Sequence, residues 1–541
     1  MEIRCSLWLP FVLIFSFSQL PAQPITFQKT YGGAGNEVGN HIIATGDGYL
    51  IAGQASSPGN GSLDACLLRV DANGNVVWQK IFGGNQADAF TLVTEANDGG
   101  FLAMGETQSQ GNHCSLPVTD TLSGVVNDYT PVTGFYCDSS VLQVGQAAAF
   151  SPGDEVLIVQ MQGAVINLNN TPDFGTVSDF GSAGHYEFNR IQVINGNDIQ
   201  LKFALTKSYD VAGKVQLIRV PEYVDAAAGN LTCPPWDGLT GGVLAIDVAN
   251  TFTLNGNLDV RAKGFRGGKY INDVNTAYHE TQFSYAPAPN LGAAKGEGVA
   301  IIPVEQSYGR GRAANGGGGG NAANAGGGGG ANAGQGGHGG EEYYNLPSSP
   351  TPGTQGLGGN PAFENNLDRI IMGGGGGAGH SNDFQGSSGG YGGGIIILKA
   401  KTLETNNHTL QASGEDVFGP GGTGANDGQG GGGAGGTILL DVKTVNGSLL
   451  CAARGGRGGD CLFYVTSQII GPGGGGSGGK ILIPQVLPSL LFDVDGGIHG
   501  IANQNLFSKS QNGEVGKILT GLTLPAGYLL PAVERAILQP I

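Results

Sequence analysis

Positive charge is the first thing this sequence is short of. It carries 26 Lys and Arg against 43 Asp and Glu, a formal net charge of −17. A protein that neutralises phosphates needs a basic face, so a nucleic-acid partner is excluded. Charge of either sign is scarce, at 13% of residues, and 40% are hydrophobic, a balance that argues against a solvated disordered polyelectrolyte. No CxxC occurs, which excludes common zinc and thioredoxin-type sites. HExxH and the GxSxG nucleophile elbow are also missing, and the eight histidines are scattered. Beyond the N-terminal region no apolar run reaches the ~18 residues of a membrane helix.

What the sequence has in excess is glycine, 101 of 541 residues, against an ordinary usage of roughly 7%. The glycines cluster in runs without a Gly-X-Y period, so collagen is excluded. Arg4 followed by the apolar stretch Leu7 to Phe17 reads as a signal peptide over residues 1–22, cleaved near Ala22. The mature chain is therefore expected to be secreted or on the cell surface. Cys5 leaves with the signal, and six cysteines remain. They allow 15 pairings; Cys114–Cys137 and Cys451–Cys461 close the shortest loops and are the expected disulfides.

Residues 25–112 hold a repeat. Phe27-Gln-Lys-Thr-Tyr-Gly-Gly33 returns as Trp78-Gln-Lys-Ile-Phe-Gly-Gly84, and Gly48-Tyr-Leu-Ile-Ala-Gly53 as Gly100-Phe-Leu-Ala-Met-Gly105. Apolar runs bounded by glycine read as strands, with an Asn73-Gly74 hairpin between them. The period is that of propeller blades, and the unit resembles the β-propeller repeats of secreted bacterial surface proteins. Only about one and a half blades are present, so the resemblance implies an incomplete propeller.

Residues 115–235 have ordinary glycine content and strand-like runs at Gly153–Met161, Ile191–Ile194, Ile199–Phe203 and Val215–Val220. A small β-sandwich-like or barrel unit is expected. Residues 236–500 carry the strongest pattern. Leu244/Ile246/Val248 correspond to Ile396/Leu398/Ala400, Ile438/Leu440/Val442 and Ile481/Ile483/Gln485, each set after a Gly-Gly pair. A second alternating strand follows each: Leu258/Val260/Ala262, His408/Leu410/Ala412, Leu449/Cys451/Ala453 and Leu490/Phe492/Val494. Period-2 alternation predicts one buried face per strand pair, as a β-solenoid or sandwich would have. A glycine-rich insertion over 266–392, with runs Gly316–Gly320, Gly326–Gly330 and Gly373–Gly377, separates the first repeat from the second. Such runs serve as loose linkers or pack side by side as polyproline-II-like strands; their place between core strands favours partial packing. Residues 501–541 have no assigned role. The fold class is thus all-β and multidomain.

In order and spacing, residues 115–500 resemble the glycine-rich domain of large secreted bacterial surface and adhesin-like proteins. More loosely they resemble the glycine-rich extracellular domain of anaplastic-lymphoma-kinase-type receptors. The bacterial resemblance implies an exported, non-catalytic structural or adhesive protein whose partners are surface glycans or other surface proteins. The alternatives are a carbohydrate-active β-helix enzyme, lyase or glycosidase, and a carbohydrate-binding module in which Trp236 stacks on sugars. Trp236 follows Pro234-Pro235 and reads equally as a plug at a domain junction.

Candidate chemistry is sparse. Gly474 to Lys480 spells GxxxxGK, but Ile481 stands where a phosphate loop needs a hydroxyl. Gly455-Gly-Arg-Gly-Gly-Asp-Cys-Leu-Phe463 matches the calcium nonapeptide GGxGxDxUx once, where the motif needs tandem copies, so Asp460 is a candidate calcium ligand and a plain glycine turn the simpler reading. Asp71, Asn73 and Asn75 resemble the start of a calcium loop without its downstream glutamate, so a hairpin turn is the simpler reading. His338 and His380, within glycine loops, read as solvated spacers. No catalytic or cofactor-binding residue is assigned, and calcium is the one cofactor considered.

Overall fold

In a computed structural model the described residues are 28–524, apart from 34, 57–62, 83–86, 96–99, 108–120, 137–139, 273–279, 342, 345–352, 420–426, 463–467 and 503–508. The described chain is all-β, its helical content being two three-residue 3-10 turns. It divides into two compact units, Met1–Leu116 and Pro117–Ile541.

The first unit is built on the repeat. Glu37–Thr45, Gly48–Ala55, Asp64–Asp71 and Val76–Phe82 form a four-stranded antiparallel sheet in chain order, and Asp88–Glu95 pairs with Phe101–Thr107 as a separate hairpin. The second hairpin repeats the first two strands of the sheet. Gly53 and Gly105 hold the same place in each, where a Cβ would strike the carbonyl of Val38 or Ala89 on the paired strand. Leu50, Ala52, Leu67 and Val93 form a small core. The Asp71–Asn75 segment is a hairpin turn: the Asp71 carboxylate accepts the N–H groups of Asn73 and Asn75, each at 2.8 Å.

The second unit begins with a closed six-stranded barrel. Around it run Glu155–Gln160, Tyr186–Asn195, Asp198–Leu201, Val141–Val144, Tyr129–Phe135 and Val215–Val220. Of the two expectations for this segment, the barrel is what forms. Val156, Ile158, Leu217 and Ile199 fill its interior, while Leu157 and Val159 on the same strand face outward into a second core.

That second core lies between the barrel and a twelve-stranded, mainly parallel sheet. The sheet has two rows. The inner row stacks Val243–Leu254, Ile395–Glu404, Thr437–Asn446, Lys480–Ile483 and Lys517–Thr520; the outer row stacks Leu258–Asp259, Thr409–Gln411, Leu449–Ala452 and Leu490–Asp493. Ala226–Thr232 pairs with the first strand of both rows and joins them. Leu244, Ile396, Ile438 and Ile481 are lateral neighbours, so the repeat in the sequence is the register in space. They pack with Leu258, Leu410, Leu449 and Cys451 of the outer row. The opposite face of the inner row, Ala245, Ile397, Leu439 and Leu482, packs toward the barrel. With both faces buried, these strands read as near-continuous apolar runs.

Two expectations about the rows need correction. Leu258 pairs with Leu410, not His408. A two-residue slip preserves the face of every side chain, so alternation could not detect it. Residues 501–541 also contribute a fifth inner strand, Lys517–Thr520, which repeats the Gly-Lys-Ile-Leu of Gly479–Leu482.

The glycine runs form the third layer, and their packing is more complete than expected. Gly327 N–H donates to Gln429 O at 2.9 Å, and Gly330, three residues on, to Gly432 O at 3.0 Å. Between them Gly328 donates to Gly318 O and Gly329 to Gly337 O, on two other neighbours. The same step of three links Gln429, Gly432 and Gly435 to Gly471, Gly474 and Ser477, and Gly428, Gly431 and Ala434 to His380, Gly377 and Gly374. Three residues per turn without internal hydrogen bonds is the polyproline II helix, here bundled so that each helix bonds to several others. The runs of the insertion and of the strand repeats therefore form one lattice.

At most of these positions only glycine fits. A Cβ at Gly377 would collide with the carbonyl oxygen of Gly318, and one at Gly433 with that of Tyr391. The side chains admitted to the lattice complete its hydrogen bonding. Asn332 Nδ2 donates to Gly435 O and Gly436 O. Lys295 donates to the carbonyls of Phe283, Gly309 and Gly311 at 2.6–2.7 Å, three acceptors for the three N–H of an ammonium. His338 and His380 are not solvated spacers: His338 Nδ1 accepts Gly358 N–H at 2.9 Å, and the buried His380 accepts Asn324 N–H at 3.0 Å. Burial, with Arg312 and Arg310 nearby, pulls the His338 imidazole down to about 4.

Two outcomes follow from the lattice. Gly433→Ala is expected to destabilise the second unit by ~3 kcal/mol, the scale of overpacking a tight interior. Gly134→Ala, where a Cβ meets only the Gln143 side chain at ordinary contact distance, should leave it nearly unchanged; chemical denaturation of both variants checks this. For His338, the unfolded chain binds a proton more readily than the folded one between its ordinary 6.5 and about 4. Stability should therefore fall as pH is lowered through that window, and His338→Gln should flatten the thermal midpoint against pH there.

Candidate functional site

The solvent face of the outer row carries the candidate site. Along these strands, alternate residues point into the core and their neighbours point out, so the turns after each strand gather polar side chains in one band. They line an open groove of about 1100 Å³, bordered by Asp259, Arg261, Glu415, Asp416, Phe418 and Arg454. Phe418 is 77% exposed, the most exposed large apolar side chain among the described residues.

The groove walls are held by charge pairs and by links between successive coils. Arg261 Nε lies 3.0 Å from both carboxylate oxygens of Asp259. Burial raises the Asp259 pKa, but hydrogen bonds from Arg261 outweigh it and leave this carboxyl below its ordinary value. Arg454 pairs with Asp493 at 3.4 Å, and Glu415 Oε2 accepts Tyr391 N–H at 2.9 Å. Side chains of one repeat cap backbone N–H groups of the next: Ser413 accepts from Arg454 and Asp416 from Arg457, and one repeat further on Asp460 accepts from Ile501. The turn positions of each coil are thereby fixed against the coil before it.

In this ladder Asp460 has a structural role. Both of its carboxylate oxygens take hydrogen bonds from Arg457 at 2.6 Å, and one also caps Ile501 at 2.8 Å. Among the described residues no group of three His, Cys, Asp or Glu side chains is placed to hold a metal ion.

Trp236 is 1% exposed and cannot stack on a sugar from solvent. It packs edge-on against Phe265 with ring centroids 6.2 Å apart, and its Nε1 donates to Glu297 Oε1 at 3.2 Å. Glu297 also receives Gln162 from the barrel side and Arg266 from the insertion. Trp236 is thus the plug of its junction. Cys451 and Cys461 are not paired with each other. Both are buried free thiols in different surroundings: Cys451 faces the core between the two rows, whereas Cys461 Sγ lies against the carbonyls of Asp427 and Gly471. Cys114 and Cys137 lie outside the described residues.

Sequence reasoning missed the groove residues. All but Asp259, which ends the strand Leu258–Asp259, lie beyond a strand, where no periodicity marks them. The one available signal is the spacing of about 41 residues between Ser413 and Arg454, Asp416 and Arg457, and Asp460 and Ile501, equal to the coil repeat.

Neither a family model nor a curated protein sequence matches the chain. A structural match is the Gp54 tailspike of Acinetobacter baumannii bacteriophage AP22, solved in complex with A. baumannii capsular saccharide. It is 10% identical, with a TM-score of 0.14, and the match covers 69% of this chain and 57% of that one. The chain thus spans little more than half of that structure, and at this score the likeness carries no argument about fold or function. No helix among the described residues is long and apolar enough to cross a membrane.

The junction and ladder roles separate experimentally. Trp236→Ala should cost ~3–5 kcal/mol in unfolding free energy, as burial of a large aromatic implies. The thermal midpoint of the wild-type protein should be the same in calcium and in chelator, whereas Asp460→Ala should lower it in both.

Proposed function

We propose that this is an exported, non-catalytic structural or adhesive protein of the bacterial cell surface, which presents the outer-row groove to surface glycans. The observation that carries this reading is the interlocked glycine lattice behind the groove. Backbone hydrogen bonds running from each helix to several neighbours resist shear and exclude proteases, properties suited to a surface element under load. In front of it, an exposed aromatic face beside carboxylates and guanidinium groups offers the stacking and hydrogen-bonding partners that a saccharide uses. The resemblance of residues 115–500 to bacterial adhesin glycine-rich domains supports the same reading.

A glycan array should report binding that falls at least tenfold in Phe418→Ala, with the thermal midpoint retained. The purified chain should release neither reducing sugar nor unsaturated product from a polysaccharide panel. Turnover abolished by Glu415→Gln would overturn the proposal in favour of a carbohydrate-active enzyme.

A further inference from the structure

One cluster of reactive groups plays no part in the groove. Asp247 and Lys399 are directly opposed on the first two inner-row strands. Lys399 Nζ lies 3.1 Å from Asp247 Oδ2 and 3.0 Å from Glu155 Oε1, which reaches in from the barrel. All three side chains are almost wholly buried, at 4%, 1% and 4% exposure for Lys399, Asp247 and Glu155. The ring of Phe188 covers the amine at 3.4 Å. Arg190, paired with Glu222 at 2.7 Å, borders the same carboxylates, and Asp441 is the neighbour of Lys399 on the third strand.

We propose that Lys399 and Asp247 form an intramolecular isopeptide bond, with Glu155 as the proton-transfer group. Charges held at this depth are expensive to desolvate, which favours moving the ammonium proton onto a carboxylate to give a neutral amine and a neutral acid. The neutral amine is the nucleophile. Nζ attacks Cγ of Asp247 to form the C–N bond. Glu155 takes a proton from the nitrogen and returns it to the departing Asp247 oxygen. The Cγ–O bond breaks and one water leaves; no oxidant or other co-reactant is consumed, and Glu155 ends as it began. Burial, the largest influence on Glu155, raises its pKa, which suits a group that must both hold and release a proton near neutrality.

The bond would tie the first inner strand to the second and bridge the whole insertion between them. A cross-link at that point turns the non-covalent return of a long excursion into a permanent one.

The full-length reduced protein tests this directly. Its intact mass should be lower by one water for this bond, and proteolysis with fragmentation spectra should yield a branched peptide joining Lys399 to Asp247. After cleavage anywhere between these residues, the two pieces should stay together in reducing, denaturing gels. Glu155→Gln should abolish the linkage while the circular dichroism remains that of a β protein. Asp247→Asn should still cross-link, now releasing ammonia, because the side-chain amide carbon can also be attacked by Nζ and its nitrogen depart once Glu155 has delivered a proton to it. Complete recovery of unlinked Lys399 and Asp247 peptides from the folded wild-type protein would sink the proposal. A branch from Lys399 to Asp441 or Glu155 would overturn the assignment of Asp247, and a linkage undiminished in Glu155→Gln would overturn the role of Glu155.

Discussion

The structure depends on one constraint, the approach of polyglycine backbones to a distance at which no Cβ fits. A conventional core draws its cohesion from apolar side chains. Here the third layer buries little more than alanine methyls, and cohesion comes from N–H and C=O groups that find partners on other helices. Burying a backbone polar group without a partner costs a few kcal/mol, so the arrangement works only if the pairing is nearly complete. The side chains inside the lattice are consistent with that demand: Asn332, Lys295 and His338 all engage backbone groups rather than one another. Glycine also loses more backbone freedom on ordering than any other residue, which makes an isolated polyglycine bundle a poor folding unit.

The parallel rows supply what the lattice lacks. Gly394, Gly436, Gly479 and Gly516 each lead directly into an inner-row strand, so strand pairing sets the height and register of the glycine helix before it. Apolar burial on both faces of the row then offsets the entropy of ordering the runs. The barrel is the third support, pressing Leu157 and Val159 onto the far side of the same strands. Lys399 is a buried charge in this mostly apolar interface. Its burial is tolerable because Glu155 and Asp247 come from two different elements to meet it, which also makes the barrel specific for this face of the sheet.

The β-rows were legible because alternation and Gly-Gly punctuation carry register information: Leu244, Ile396, Ile438 and Ile481 aligned in sequence are neighbours in space. The glycine lattice was legible in kind but not in pairing. A run of identical residues contains nothing that says which neighbour each one meets, and the side-by-side packing of Gly328 with Gly318 and of Gly327 with Gln429 is set by strands far away in sequence. The burial of His380 was hidden for the same reason, since that side chain owes it to segments that only the fold brings near. The groove was the least legible part. Its residues follow the strands in turns, where hydrophobic periodicity has ended and composition alone does not distinguish a binding side chain from a spacer.

That separation between lattice and turns has a consequence for function. Within the lattice nearly every position is fixed by contact, so substitution there is answered by clashes with carbonyl oxygens. In the turns the backbone is held by a few caps, Ser413 on Arg454, Asp416 on Arg457 and Asp460 on Ile501, and the remaining side chains face water. A rigid support with sparse anchoring points leaves the groove surface free to change chemically without disturbing what lies beneath. For the glycan binding proposed above, the ordering cost of the surface would then already be met by folding, and affinity would depend on the few exposed groups, Phe418 and the charged residues beside it. Of the basic residues at the groove, Arg261 is paired with Asp259 and Arg454 with Asp493, so these guanidinium groups are held in place by neighbouring acids.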